Sequence, residues 1–196
     1  MKYNKWLDIW LEDYIRPTTK ARTYELYERM ATQHIKPALG ECETEAIKPI
    51  AIQSFVSELL KKGNLLTESG LSGETVNLII TIVQGSLKTA FMAGETNAYI
   101  ADRVKRPKTK QKNTICFSVS EQRRIENAVF ADKRSKMKGI VICLYTGIRI
   151  GELLALKWED VDFGKKTVRV NRTCRDAVKK NCGARIEDTP KTASSN

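Results

Sequence analysis

A chain of 196 residues, 41% hydrophobic and 29% charged, can bury a core of ordinary size in one or two domains. Its 34 lysines and arginines against 23 acidic residues give a formal net charge of +11, which favours a polyanionic partner over a small acidic substrate. The amino end lacks the apolar core of a signal peptide, no stretch reaches about 18 consecutive apolar residues, and the five cysteines have no CxxC spacing. The expectation is a cytoplasmic protein without membrane contact, disulfide framework or metal site.

In chain order, Lys5 to Tyr14 places Trp6, Ile9, Trp10, Asp13 and Tyr14 on one helical stripe. Pro17 to Thr19 punctuates it, and a second helix is predicted from Lys20 through Ile35 with Tyr24, Tyr27, Met30 and Ala31 inward, closed by Pro37 to Gly40. Lys20, Arg22, Thr23 and Tyr24 gather basic, hydroxyl and aromatic groups in its first turn, a mixture that suits a phosphate backbone and equally a solvated helix end. A third helix is predicted from Ile50 to Lys62, carrying Ile52, Phe55, Val56, Leu59 and Leu60, with Gly63 as its stop. After a turn-rich loop, Ser72 or Thr75 is placed to cap a long helix running to about Gly94, with Val76, Ile79, Ile80, Val83, Leu87 and Phe91 buried and Gly85 marking a close helix contact. Residues 1–102 thus form a helical bundle.

Composition changes at Arg103. The run Arg103 to Lys112, RVKRPKTKQK, is basic and almost without apolar side chains, so residues 103–116 form a linker between the bundle and a second domain, 117–196. Arg103, Lys105, Arg106 and Lys108 are candidate phosphate contacts, which would make binding fall steeply with salt. In the second domain Ser118 or Ser120 caps a helix from Glu121 to Val129, and a buried-looking helix from Lys136 to Tyr145 follows. Glu159 to Asp162 is predicted as a turn and Lys166 to Thr173 as a strand; Cys174 to Ile186 can supply a hairpin loop and return strand.

Between helix and turn stands TGIRIGELLALKW, Thr146 to Trp158. Gly147 suits the left-handed residue past a helix end, so the chain breaks there and restarts with Arg149 in the first turn of a new helix. The dipole disfavours a cation at that end, and a bound phosphate would explain one. Glu152, one turn on, is placed to fix the guanidinium, a position that a surface glutamate in a first turn occupies just as readily. Tyr145, in the apolar run, is read as core.

These elements resemble the tyrosine recombinases, the phage-integrase family. TGIRIGELLALKWEDVDF at Thr146 to Phe163 resembles the box around the family's first catalytic arginine, Arg149 here, and TPKTASS at Thr189 to Ser195 resembles the β-hairpin segment with the catalytic lysine, Lys191 here. The resemblance implies a mainly α fold: a SAM-like core-binding bundle, then the first helices and β-hairpin of an α+β catalytic domain. It implies site-specific DNA recombination through a phosphotyrosyl link, needing neither ATP nor metal, with duplex DNA as partner. Arginines would stabilise charge on the phosphoryl oxygens, and Lys191 would donate a proton to the leaving 5′-oxygen.

The sequence departs from the family's pattern after Lys191. The HxxR box with the second arginine and the nucleophilic tyrosine have no counterpart, and all six tyrosines (Tyr3, Tyr14, Tyr24, Tyr27, Tyr99, Tyr145) precede Arg149. The expectation is a chain truncated within the catalytic domain that binds DNA without cleaving it, with apolar faces between Ile140 and Trp158 lacking partners. The alternative is a non-enzymatic DNA-binding regulator that competes with a full-length integrase; self-association or a full-length integrase are further partner expectations.

Overall fold

The computed structural model describes residues 1–67, 69–98, 100–109, 115–134, 137–176 and 185–188. They fall into two compact units, Met1–Lys112 and Asn113–Asn196.

The first unit is built on α5 (Gly73–Met92), the last of five α-helices among its described residues. Ser72 caps it, its hydroxyl accepting from the Thr75 amide at 3.2 Å, as the sequence suggests. By length and composition α5 could cross a bilayer, but Val76, Ile79, Ile80, Ile82, Val83, Leu87 and Ala90 are buried in the bundle, as in any core helix. Three aromatic side chains of the amino-terminal helix clamp onto it. The Tyr3 hydroxyl lies 2.6 Å from that of Ser86, Trp6 Nε1 donates to the Ser86 carbonyl at 2.9 Å, and Trp10 Nε1 donates to Thr89 Oγ1 at 3.1 Å. Gly85 gives Trp10 its room, the close helix contact expected there.

Those bonds correct the stripe expected for the first helix. Trp6 and Trp10 belong to two overlapping stripes, and the buried one runs through Tyr3, Leu7 and Leu11, leaving Ile9 and Tyr14 exposed. Helix α1 (Tyr3–Ile9) also widens into a π-helical turn, Trp10–Ile15, where the Arg16 amide reaches back five residues to the Leu11 carbonyl at 2.9 Å. A second such turn, Ala31–Ile35, follows α2 (Ala21–Met30), and the helix predicted to run through Ile35 extends into the Pro37 to Gly40 segment expected to close it. The wider turn relieves the clash of the proline ring with the carbonyl four residues back, so the helix continues as α3 (Lys36–Leu39) to Gly40. Helix α4 (Pro49–Lys62) buries Ile52, Phe55, Val56 and Leu59 and ends at Gly63; Leu60, and Phe91 on α5, face solvent rather than the core.

The second unit holds α6 (Val119–Ala131), started by the Ser118–Glu121 capping box, then α7 (Lys138–Thr146) and α8 (Ile150–Ala155). Two antiparallel pairs follow: β1 (Val161–Asp162) with β2 (Thr167–Val168), and β3 (Thr173–Asp176) with β4 (Arg185–Asp188), Thr173 opposite Asp188 and Asp176 opposite Arg185. The fold is mainly α with a small amount of sheet, as expected. The segment Glu159 to Asp162 is not simply a turn: Val161 and Asp162 are strand, and the chain reverses over Phe163–Lys166, with Lys166 at φ 54°. No residue of α7 is fully buried, and Tyr145, expected in the core, is 68% exposed with its hydroxyl bonded to Glu126. An apolar run alone does not reveal how many elements will cover it.

Candidate phosphate and nucleic-acid sites

In the second unit the turn at Gly147 positions Arg149. Gly147 adopts φ 71°, and its amide closes α7 by donating to the Cys143 carbonyl at 2.9 Å. The chain restarts with Arg149 in extended conformation as the N-cap of α8, one residue before the helical turn in which the sequence places it. An arginine has no acceptor to cap a helix with. Glu152 supplies the compensation: one carboxylate oxygen accepts from the Arg149 amide at 2.9 Å, the other from its guanidinium at 2.8 Å. The Glu152 side chain is 6% exposed and that of Arg149 58%, so a buried anion anchors a cation whose outer part meets solvent. The backbone bond from Arg149, and then the guanidinium, hold the Glu152 carboxyl below the usual carboxylate range.

Close packing sets α8 on β3. A Cβ on Gly151 would lie 2.7 Å from Thr173 Oγ1 and 2.9 Å from the Cys174 carbonyl, so the helix meets β3 at a distance only glycine allows. Asp160 locks the turn after α8 by accepting from the Lys157 amide at 2.9 Å and from the Arg172 guanidinium. Lys191 lies outside the described residues; β4 ends three positions before it.

In the first unit the four residues at the start of α2 separate. Lys20, its N-cap, and Arg22 are exposed and Thr23 half-buried. Tyr24 is buried: its hydroxyl donates to Glu12 at 2.6 Å and accepts from Arg16 at 2.9 Å, and the Arg16 guanidinium lies 4.3 Å from the ring centroid. Burial raises the Tyr24 pKa, and Glu12, held by Arg16, adds to it. The tyrosine therefore anchors the helix start while Lys20 and Arg22 face outward.

The basic segment is not solvated throughout, as a linker beginning at Arg103 would be. Val104 is buried in the bundle core, the Lys105 amide donates to Gln53 Oε1 at 2.9 Å, and Asn77 Nδ2 donates to the Pro107 carbonyl at 3.2 Å. The side chains of Arg103, Lys105, Arg106 and Lys108 are on the surface. Sequence reasoning missed Gln53, Asn77, Thr81 and Gln84, the polar groups that receive this segment. The signal was present on α5, where the last three recur at spacings of four and three.

Two family models match the chain: the phage integrase N-terminal SAM-like domain over residues 2–60 and the phage integrase family over residues 120–188. A tyrosine recombinase XerC-like protein of Caldanaerobacter subterraneus subsp. tengcongensis is 31% identical, the match covering 95% of this chain and 48% of that protein. This chain belongs to the tyrosine recombinase family. The ICEBs1 integrase of Bacillus subtilis is a further relative, 25% identical over 90% of this chain and 45% of its own length. The chain thus spans about half the length of these recombinase relatives. The fold is shared with the Tn1549 transposon integrase in complex with circular intermediate DNA (TM-score 0.78, 19% identity, 96% of this chain and 59% of that one). It is shared too with a lambda integrase dimer bound to a core site (TM-score 0.70, 18% identity, 96% and 60%).

Proposed function

We propose that these 196 residues act in site-specific DNA recombination by binding duplex DNA at a recombination site, with Arg149 clamping a phosphate. The observation that carries the reading is the Arg149–Glu152 pair: a buried carboxylate holds the backbone amide and one terminal guanidinium nitrogen of an arginine whose side chain is 58% exposed, and a planar fork so oriented suits phosphoryl oxygens. The family relationship supports the assignment, and the net charge of +11 supports a polyanionic partner. Lys191 is proposed as the proton donor to the leaving 5′-oxygen, and Lys20, Arg22, Thr23, Arg103, Lys105 and Lys108 as backbone contacts. Tyr24 is assigned to holding the start of α2.

We propose further that these residues bind DNA without cleaving it. Of the tyrosines, Tyr3 is buried on Ser86, Tyr24 is engaged by Glu12, and the Tyr145 hydroxyl is held by Glu126, which raises its pKa. Selection from a pool of randomised duplexes tests the reading. Enrichment of one sequence, with affinity falling steeply as salt rises, is expected; binding that ignores both sequence and salt would refute it. A protein–DNA adduct that survives denaturation would overturn the second proposal alone.

A further inference from the structure

We propose that Arg106 is a positioning residue: it clips the basic segment along a polar stripe of α5 and thereby turns Lys105 outward as a phosphate contact. The DNA half of this inference rests on the function proposed above; the clip itself does not.

The geometry begins with α5. Asn77, Thr81 and Gln84 line one side of a helix whose other faces are core, and all three engage the same guanidinium. Arg106 donates from one terminal nitrogen to the Asn77 carbonyl at 3.3 Å and to Thr81 Oγ1 at 3.1 Å, and from the other to Gln84 Oε1. A guanidinium carries five N–H donors in a rigid fork, so three acceptors along one helix set its direction as well as its place. The neighbouring residues hold the same register. Val104 is buried in the core, the Lys105 amide is bonded to Gln53 on α4, and the Pro107 carbonyl is bonded to Asn77. Further on, the Lys108 carbonyl and the Thr109 side chain lie against Gly73, where a Cβ would meet them at 3.4 and 3.2 Å. The segment therefore follows α5 from the level of Gln84 back to its first residue.

Side chains of an extended segment alternate. With Val104 and Arg106 directed to the bundle, Lys105 is directed away from it, and Lys108 is exposed beyond the proline. Among the described residues, a basic run of uniform appearance in sequence thus divides into one cation used for docking and others presented to solvent. The docking cation keeps water contact along part of its side chain, so its bonds are individually weak and the fixed register comes from the set.

The test compares charge removal with acceptor removal in the full chain. Thr81→Val with Gln84→Leu deletes two acceptors and leaves every charge in place; Arg106→Gln and Lys105→Gln each remove one charge. The readouts are amide exchange at Lys105 and affinity for a mixed-sequence duplex across a salt series. Exchange at Lys105 should quicken about threefold to tenfold in both the acceptor double variant and Arg106→Gln, the change expected from losing one or two hydrogen bonds. Both should weaken duplex binding alike with an unchanged salt slope, whereas Lys105→Gln should lower the slope by about 0.9. A lowered slope for Arg106→Gln with a silent acceptor variant would make Arg106 a phosphate contact and overturn the proposal. Unchanged exchange at Lys105 in the acceptor variant would overturn the clip. Quickened exchange in a protein that binds no duplex at any salt would support the clip and refute the DNA-binding reading beneath it.

Discussion

The carboxylate of Glu152 holds Arg149 twice, through its backbone amide at 2.9 Å and its guanidinium at 2.8 Å. One side chain thereby satisfies the backbone N–H of the residue that begins the helix and restricts the arginine rotamer. Glu152→Ala should destabilise the second unit by about 1–2 kcal/mol, the usual cost of a lost cap. Glu152→Gln should recover part of that loss, because its amide oxygen still accepts from the Arg149 backbone. Denaturant midpoints check both. The folded pKa of Glu152 lies below its ordinary value of 4.5, so its contribution is complete above that value and is lost as pH falls through the lowered one. Equal acid sensitivity in the wild type and Glu152→Gln would contradict this.

Gly151 determines how closely α8 meets β3. Gly151→Val places carbon against Thr173 Oγ1 and the Cys174 carbonyl, one of them backbone that has little room to yield. A loss of about 1–3 kcal/mol is expected, with faster reaction of the buried Cys174 thiol towards a maleimide. Unaltered stability and thiol reactivity would show that the helix and strand separate easily.

Tyr3 and Ser86 form a buried hydroxyl pair at 2.6 Å, and burial pushes the Tyr3 pKa up. Tyr3→Phe should cost about 1 kcal/mol, a modest amount because Ser86 Oγ keeps its bond to the Val83 carbonyl at 3.0 Å. Thermal unfolding of the first unit reads the difference. A loss several times larger would mean that the ring, too, had moved.

His34 is buried, and burial lowers its pKa from 6.5. The unfolded chain then takes up the proton more readily than the folded one, so stability is fully present above 6.5 and falls as pH drops through that range. Measured from about pH 7 to about pH 5, the decline should be shallower in His34→Gln. An identical slope in both proteins would remove His34 as its source.

In a salt titration with duplex DNA, replacing Arg103, Lys105 and Lys108 together by glutamine should lower both affinity and salt slope, by about 0.9 in slope for each phosphate no longer neutralised. Arg149→Ala should leave both nearly unchanged, since one clamp on one phosphate adds little to binding that is spread along a backbone. A large effect of Arg149→Ala on affinity would place it among the main binding contacts.

Much was legible from local chemistry. The Ser72 and Ser118 caps, the left-handed Gly147, the stop at Gly63 and the four helical segments of the bundle follow from rules that span a single turn. The Arg149–Glu152 pair was legible for the same reason, since three residues separate its members. What stayed hidden depended on groups far apart in sequence. Which stripe of the first helix is buried was decided by Ser86 and Thr89, some eighty residues away. Whether the run before Gly147 would be covered depended on elements packed around it, and Tyr145 met Glu126 instead of a core.

The sequence by itself determined a helical, basic chain and the identity of its candidate phosphate ligand, because periodicity, capping and charge are properties of neighbouring residues. Only the tertiary structure decided that Tyr24 turns inward to Glu12 and that Arg106 turns down onto α5 while Lys105 turns out. Those choices are set by where acceptors from other helices stand, and a hydrogen bond forms only when both partners have been brought within about 3 Å with suitable direction.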